Sequence, residues 1–148
     1  MSTYTQIIYH IVFSTKNRQN TLDYDKQEEL FKYIWGIIKN KTCHLYRING
    51  DRDHLHILTS LHPSLALSDF IRDIKVASSK WIQEQKIFPA FDGWQKGYSA
   101  FTCAVNDKKR LIQYIIDQKE HHRKLTFQEE LVNLLEQAQI EFDMKYLA

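Results

Sequence analysis

The sequence predicts an α+β fold of the ferredoxin-like, split βαβ (RRM-like) type, in which helices cover one face of an antiparallel sheet. The predicted elements follow the order strand, helix, strand, strand, helix, strand, helix, with a short helix at the end. The strand segments are β-branched and aromatic, whereas the helical segments repeat apolar residues at a period of 3.6. In this arrangement the first and third strands are central, and the other face of the sheet is free for a ligand.

The chain begins with a predicted central strand and a helix. Residues from Gln6 to Phe13 carry apolar side chains on both faces, as in a strand covered by helices. Asp25 with Glu28 resembles a capping box, and apolar residues then recur at helical spacing until Asn40. We therefore expect a helix of about four turns after the first strand.

A hairpin is predicted next. Cys43 to Asn49 has the composition of a second strand, and His54 to Thr59 has that of a third. Between them, Asn49-Gly50-Asp51 provides strong turn chemistry. The second and third strands should therefore pair directly.

The second half of the chain supplies the remaining elements. Apolar residues beyond Pro63 keep the helical period to about Gln85, residues 88–97 have the glycines and proline of a loop, and residues 98–105 have the pattern of a fourth strand. Asn106 is placed to cap a third long helix. Thr126 with Glu129 forms a capping box for the short final helix, and an irregular tail follows.

Length and composition indicate one domain over residues 1–148. The 148 residues are 43% hydrophobic and 26% charged, with only four glycines and two prolines. The polar start and the lack of a long apolar run predict a soluble, cytoplasmic protein without a membrane span. Cys43 and Cys103 lie far apart and are expected to be reduced. The net charge of +2 neither shows nor excludes a nucleic-acid partner.

Two histidines at alternate positions form the first candidate site. Side chains alternate across a strand, so His54 and His56 point to one side of the third strand and Leu55 points to the other. Two imidazoles on a rigid strand can hold a metal ion. With seven histidines in the chain, such a pair also arises by chance, and this pattern alone leaves both alternatives open.

The third helix carries the second candidate site. Tyr114, Gln118 and His121 lie on a polar flank, away from the apolar stripe of the helix. Tyr114 and Gln118 are one turn apart, which places a phenol beside an amide. The pair fits either a functional site or a tyrosine at the boundary of the core beside solvated residues.

Several segments together resemble the single-tyrosine HUH transposases of bacterial and archaeal insertion sequences, to which REP-associated tyrosine transposases are related. The longest are the segments Asp53–Leu58 (DHLHIL) and Tyr114–His122 (YIIDQKEHH). Shorter ones are His-Ile-Val-Phe in the first strand, Asn-Gly before the third strand, Ala-Leu-Ser-Asp at the start of the second helix, and Trp94–Phe101. The resemblance covers nearly the whole chain.

The resemblance implies an enzyme that cleaves and rejoins single-stranded DNA at the hairpin-flanked ends of a mobile element, through a covalent phosphotyrosine. It implies Tyr114 as the catalytic nucleophile and, as ligands of Mg²⁺ or Mn²⁺, His54, His56 and Gln118. Two imidazoles and an amide oxygen leave positions open for phosphate oxygens, which suits a Lewis acid. The resemblance also implies a homodimer, whose active sites can be shared between subunits.

Basic residues are the candidates for contacts with the DNA backbone, although a lone cation is more often solvated surface. They are Lys16, Arg18, Arg52, Lys75, Lys80 and Lys96. The remaining histidines are assigned structural roles: His10, His44 and His62, and, where they can interact with the helix dipole, His121 and His122.

Three other functions stay open. Another HUH endonuclease, such as a replication initiator or relaxase, would share the histidines and the tyrosine, but is less expected for so small a chain. A non-catalytic binder of single-stranded nucleic acid would leave the set of two histidines, tyrosine and glutamine unexplained. A domesticated relative would process hairpins without moving an element.

Overall fold

A computed structural model describes residues 2–147 and contains a four-stranded antiparallel sheet. Its strands are β1 (Ile8–Ser14), β2 (Leu45–Gly50), β3 (His54–Ser60) and β4 (Ser99–Thr102), in the order β2-β3-β1-β4. β1 and β3 are therefore the central strands, and they pair along their whole length. The predicted α+β fold class and the central position of these two strands are confirmed.

Five helices accompany the sheet in the part of the chain that the structure describes. They are α1 (Gln27–Asn40), α2 (Leu67–Gln85), α3 (Lys108–Ile116), α4 (Gln118–His121) and α5 (Phe127–Gln137). The capping box at the start of α5 is predicted correctly. The hydroxyl oxygen of Thr126 accepts a hydrogen bond from the Glu129 amide, and the Glu129 carboxylate accepts one from the Thr126 amide.

Two other predicted caps were wrong. α1 begins at Gln27, behind a 3-10 turn that contains Asp25, and no side chain caps it, so Asp25 and Glu28 form no capping box. Asn106 lies in a 3-10 turn ahead of α3, whose first residue, Lys108, also follows without a side-chain cap. In both places a tighter turn leads into the helix and takes the position predicted for the cap.

The predicted long third helix is interrupted at Asp117, where α3 ends and α4 follows. The side-chain amide of Asn49 on β2 donates to the carbonyl oxygens of Ile115 and Ile116, at 3.0 Å each. A continuous helix would pair these carbonyls with the amides four residues further on. The sheet therefore ends α3 and holds it against the hairpin.

One face of the sheet packs against α1 and α2. Ile11 and Phe13 on β1 and Leu55 and Ile57 on β3 point to this face and are at most 2% exposed. They belong to one cluster with the buried residues of the two helices, which are Leu30, Ile34, Ile38, Phe70, Ile71 and Ile74. This is the helical layer that the sequence predicts.

The opposite face of the sheet is also covered, so the expectation of helices on one face only and a free second face was wrong. Ile8 and Leu58 pack with Ile115 of α3, and Val12 packs with Phe127 of α5. The central strands carry apolar residues on both faces, and both sets must be removed from water. A ligand on this face would therefore have to bind between the sheet and the C-terminal helices.

Cys43 and Cys103 are both buried free thiols, as predicted. Within residues 2–147, no helix is long and apolar enough to cross a bilayer. The predicted domain spans residues 1–148 and thus includes Met1 and Ala148, which lie outside the described residues.

Candidate active site

Strand β3 begins with two fully buried histidines. His54 and His56 are 0% exposed and face the C-terminal helices, with His54 stacked on Phe127, while Leu55 joins the core on the other face. The side-chain alternation predicted from the sequence is therefore present. The turn before β3 requires glycine, because a Cβ atom on Gly50 would lie 2.1 Å from the carbonyl oxygen of His54.

Tyr114 and Gln118 reach these histidines from the same chain. Oε1 of Gln118 lies 3.0 Å from Nε2 of His54. The ring centroids of Tyr114 and His56 are 5.9 Å apart. Gln118 is fully buried and Tyr114 is half-buried. The two pairs that the sequence places on separate elements thus meet in one cluster.

The carboxylate of Glu130 on α5 lies at the centre of this cluster and is 2% exposed. Its Oε1 atom contacts Nε2 of three histidines: His122 at 2.8 Å, His56 at 3.1 Å and His54 at 3.4 Å. One carboxylate oxygen therefore joins residues from β3 and from the segment after α4.

The second oxygen of Glu130 faces the tyrosine. Its Oε2 atom accepts hydrogen bonds from the side-chain amide of Gln118, at 2.8 Å, and from the hydroxyl of Tyr114. The candidate nucleophile and the candidate metal ligands are thus connected through a single side chain.

Two further residues orient the histidine pair. Oδ1 of Asp53 lies 2.7 Å from Nδ1 of His54, and Nε2 of His10 on β1 lies 2.8 Å from Nδ1 of His56. Partners of this kind fix the plane of an imidazole and the nitrogen that it presents. Both histidines consequently direct Nε2 towards Glu130.

The cluster contains donor atoms suited to a divalent cation. One ligand atom from each of His54, His122 and Glu130 lies within 4.8 Å of the other two. Oε1 of Glu130 is 2.8 Å from His122 and 3.4 Å from His54, and ligand atoms around an octahedral ion lie about 3 Å apart. Imidazole, carboxylate and amide oxygen are donors that Mn²⁺ accepts, and Mg²⁺ accepts the oxygens. The residues therefore fit a metal ion.

Electrostatics at His54 favour positive charge. Burial acts to lower the pKa of His54, but the hydrogen bonds with the carboxylates of Asp53 and Glu130 outweigh it and raise the pKa to about 9. Burial acts to raise the pKa of Glu130, but hydrogen bonds from His122, His54 and His56 hold it well below its ordinary value. At neutral pH the carboxylates of Asp53 and Glu130 thus stabilise a positive charge at the position of His54, which lies between them.

Tyr114 and His10 are neutral in this environment. Burial and the charge of Glu130 raise the pKa of Tyr114 well above its ordinary value, so the phenol keeps the proton that it donates to Glu130. Burial, together with neighbouring His56, lowers the pKa of His10 to about 3. An attack by the phenol oxygen would therefore require a nearby positive charge that stabilises the phenolate.

Three of the six basic residues predicted to contact DNA face one groove. Lys75, Lys80 and Lys96 line a groove of about 660 Å³ between α2 and the loop of residues 93–98. Lys80 and Lys96 are exposed. Lys75 is half-buried, and its ammonium donates to two carbonyl oxygens of that loop. Lys75 therefore anchors the loop.

The other three predicted contacts lie elsewhere. Lys16 pairs with Asp92 at 3.6 Å, and Arg52 pairs with Asp23 at 3.2 Å. Arg18 ends a short 3-10 turn and is partly buried. These three residues are not among those that line the groove.

Glu130 and His122 are two candidate metal ligands that sequence reasoning misses. The assignment of His122 to the helix dipole gave it no part in the site. A signal for Glu130 exists, because it falls on the apolar stripe of α5, three residues after Phe127 and four before Leu134. A charged residue on a buried stripe needs polar partners.

The chain is similar in sequence to known transposases. A family model described as "Transposase IS200 like" matches residues 3–118. The ISDra2 transposase TnpA of Deinococcus radiodurans is 23% identical over 125 residues, which are 78% of this chain and 86% of the relative. The transposase for insertion sequence element IS200 of Salmonella typhimurium is 27% identical over 120 residues, which are 78% of each chain.

Two solved structures are similar in fold. The crystal structure of a candidate transposase from Deinococcus radiodurans aligns with a TM-score of 0.62 and 22% identity, over 80% of this chain and 95% of that chain. A REP-associated tyrosine transposase bound to a REP hairpin aligns with a TM-score of 0.61 and 15% identity, over 100% of this chain and 92% of that chain.

Proposed function

The chain belongs to the IS200-like transposase family, and on that premise we propose that it cleaves and rejoins single-stranded DNA at the hairpin-flanked ends of a mobile element. Tyr114 is the nucleophile and forms a covalent phosphotyrosine. The residues proposed to hold a Mg²⁺ or Mn²⁺ ion are His54, His56 and Gln118. The whole chain, residues 1–148, acts as one domain.

The observation that carries this proposal is the convergence of Tyr114, His54 and Gln118 in one buried cluster. Cleavage of a phosphodiester needs a nucleophile next to a group that neutralises charge on the phosphate. The alternative is a tyrosine at the boundary of the core, surrounded by solvated residues. Such a tyrosine would not need to share a buried carboxylate with two candidate metal ligands.

The proposed reaction exchanges one phosphodiester bond for another and so conserves the free energy of that bond. The oxygen of Tyr114 bonds to phosphorus as the bond from phosphorus to the 3′ oxygen breaks, and the proton that the phenol loses is matched by one that the 3′ oxygen gains. A bound Mg²⁺ or Mn²⁺ would neutralise charge on the non-bridging oxygens. Because the link is still a phosphodiester, a DNA 3′-hydroxyl can attack it later, which rejoins strands without ATP.

The surrounding residues keep this geometry rigid. Asp53 and His10 hold the two imidazoles of β3 in fixed orientations. Asn49 fixes the end of the tyrosine helix through two hydrogen bonds. Tyr114 therefore lies on a helix that is anchored to the hairpin that carries the histidines. This anchoring keeps the phenol oxygen in a fixed position relative to the histidines before the reaction.

We propose that the DNA backbone follows the groove between α2 and the loop of residues 93–98. Lys80 and Lys96 line this groove and are exposed, and within residues 2–147 neither has a carboxylate partner within 4.0 Å. Tyr98 lies on the same groove and is 43% exposed, so its ring is available for stacking on an unpaired base. The groove therefore combines free cations with an aromatic surface.

Replacing both groove lysines should weaken DNA binding. We expect Lys80→Gln/Lys96→Gln to raise the Kd for a single-stranded hairpin DNA by about tenfold and to reduce the slope of log K against log salt by about 1.4, because two phosphate contacts are lost. Fluorescence anisotropy at several salt concentrations measures both quantities. The control is Lys32→Gln/Lys39→Gln on α1, which removes the same charge from two exposed positions. Equal effects in the two double variants would contradict the proposed path.

The proposed partner besides DNA is a second copy of the chain. Dimers with shared active sites are implied by the resemblance to single-tyrosine HUH transposases. In the structure the contacts between Tyr114, Glu130 and His54 form within one chain. A dimer of this protein therefore needs no exchange of the tyrosine helix to complete its sites.

Covalent capture tests the function. The purified full chain is incubated with Mn²⁺ or Mg²⁺ and single-stranded DNA that carries the hairpins from the ends of its own element. We expect a protein–DNA adduct that survives denaturing electrophoresis, together with a free DNA 3′-hydroxyl and strand rejoining. Binding without an adduct would instead favour the non-catalytic binder, and cleavage without rejoining would favour a replication or hairpin-processing endonuclease.

A further inference from the structure

Glu130 lies outside the segment of residues 3–118 that matches the transposase family model, and yet it occupies the centre of the site. It is carried by α5, whose first turn is closed by the capping box at Thr126. Phe127 of the same turn stacks on His54, with ring centroids 4.4 Å apart. The first turn of α5 is therefore fixed against β3, close to the position of Glu130.

The two oxygens of Glu130 have different neighbours. Oε1 contacts the Nε2 atoms of three histidines, and Oε2 accepts hydrogen bonds from Tyr114 and Gln118. A carboxylate can bind a metal ion through one oxygen and hold a hydrogen-bond donor with the other. This division matches the two requirements of the site, a cation and a fixed phenol.

We propose that Glu130 is a ligand of the metal ion through Oε1, together with His122, and that it positions the phenol of Tyr114 through Oε2. The inference rests on the proposed function, since it names further residues of the same site. It adds an anionic ligand to two imidazoles and an amide, which are all neutral when they bind a metal. A buried divalent cation among neutral ligands alone would be poorly compensated.

The distances support ligation. Nε2 of His122 lies 2.8 Å from Oε1 of Glu130, and the rings of His54 and His122 are 4.5 Å apart. Donor atoms that already lie about 3 Å from one another need little movement to share an ion at about 2.1 Å. An ion pair with a purely structural role would be served by one or two such contacts. Among the residues that the structure describes, Glu130 makes five polar side-chain contacts, and all are to residues of the cluster.

Metal binding by the full chain without DNA tests the ligand role. The affinity for Mn²⁺ is measured by calorimetry or by the electron paramagnetic resonance of the free ion. We expect Glu130→Gln to raise the Kd for Mn²⁺ by at least about 100-fold, which exceeds the loss of about 10- to 100-fold caused by removing a residue that only orients a ligand. Glu136→Gln is the matched control, because it removes the same charge from an exposed position on the same helix. A Kd in Glu130→Gln within about twofold of the unmodified chain would overturn the proposal.

A second measurement covers loss of stability in Glu130→Gln. Glu130→Asp keeps the charge but shortens the side chain, and the rise in Tm that Mn²⁺ causes is compared in all variants. We expect a full rise in the unmodified chain and in Glu136→Gln, a smaller one in Glu130→Asp and none in Glu130→Gln. An equal rise in every variant would overturn the proposal. If Glu130→Gln weakened Mn²⁺ binding but the unmodified chain formed no DNA adduct, the ligand role of Glu130 would stand and the proposed transposase reaction would be contradicted.

The positioning role is read out at Tyr114. With each chain saturated in Mg²⁺, which is diamagnetic, the ring signals of Tyr114 in an NMR spectrum should differ between the unmodified chain and Glu130→Asp, because the partner of the hydroxyl moves. Tyr98, which is exposed on the groove, supplies the internal reference. Unchanged Tyr114 signals in both Glu130 variants would overturn this half of the proposal.

Discussion

Tyr114→Phe is expected to abolish the covalent protein–DNA adduct and to lower the rate of strand cleavage by about 10⁴-fold or more. The substituted ring has no oxygen that can bond to phosphorus, and loss of a nucleophile removes the reaction rather than slowing one step. Denaturing electrophoresis of labelled hairpin DNA measures the adduct, and single-turnover assays measure cleavage. DNA binding, followed by anisotropy, should be unchanged.

The fold should tolerate this substitution. The ring of Tyr114 still packs near His56 and His121. The hydrogen bond that is lost is the one to Oε2 of Glu130, and the amide of Gln118 still donates to that oxygen. We expect the free energy of unfolding to fall by about 1 kcal/mol, as for one hydrogen bond.

Tyr98→Phe is the matched control for the nucleophile. It also removes one phenolic hydroxyl, from a ring that is 43% exposed beside the groove and away from the cluster. It should form adduct at the level of the unmodified chain. An adduct that persisted in Tyr114→Phe would assign the nucleophile to another residue.

The parts of the site that the sequence predicts depend on residues close together in the chain. The alternation of side chains on β3 is enough to place His54 and His56 together, and one helical turn is enough to place Tyr114 beside Gln118. Both relations are visible in a pattern of a few residues. The order of strands and helices likewise follows from local periodicity, and it leads to the correct sheet.

The meeting of the two pairs depends on contacts that no local pattern contains. Asn49 and Ile115 are 66 positions apart, and their hydrogen bond sets where the tyrosine helix ends against the hairpin. Glu130 is 74 positions from His56, which it contacts. In the sequence, only the resemblance to single-tyrosine HUH transposases joins Tyr114 to His54, and that resemblance does not include Glu130.

The break after α3 shows the same limit in the backbone. Residues 108–121 have the periodicity of one helix, and the sequence predicts one. The interruption at Asp117 arises because Asn49 uses the carbonyls that would continue the helix. The interruption also separates the turn that carries Tyr114 from the turn that carries Gln118, so the i,i+4 spacing survives while the helix does not.

His54→Ala is expected to raise the Kd for Mn²⁺ by at least about 100-fold and to abolish the adduct, since it removes a proposed ligand rather than a supporting residue. His54 is 0% exposed and contacts both Gln118 and Glu130. Calorimetry measures the metal affinity. His44→Ala, which removes an exposed histidine from the end of the same sheet, should bind Mn²⁺ normally.

The loss of stability in His54→Ala must be separated from the loss of metal. Removal of the imidazole leaves the carboxylates of Asp53 and Glu130 with one partner fewer, and we expect the free energy of unfolding to fall by about 2–4 kcal/mol. Metal binding is therefore measured well below the Tm of the variant. Normal Mn²⁺ affinity in folded His54→Ala chains would exclude His54 as a ligand.

Co-expression of Tyr114→Phe and His54→Ala chains distinguishes sites completed within one chain from sites shared between subunits. In the structure Tyr114 and His54 contact the same Glu130 of the same chain, so neither variant supplies what the other lacks, and the mixture should stay inactive. If tyrosine helices were exchanged, half of the dimers would be mixed and each would contain one intact site, so about a quarter of the sites would work. The adduct would then form on the His54→Ala chain, which retains Tyr114, and its mass would identify it.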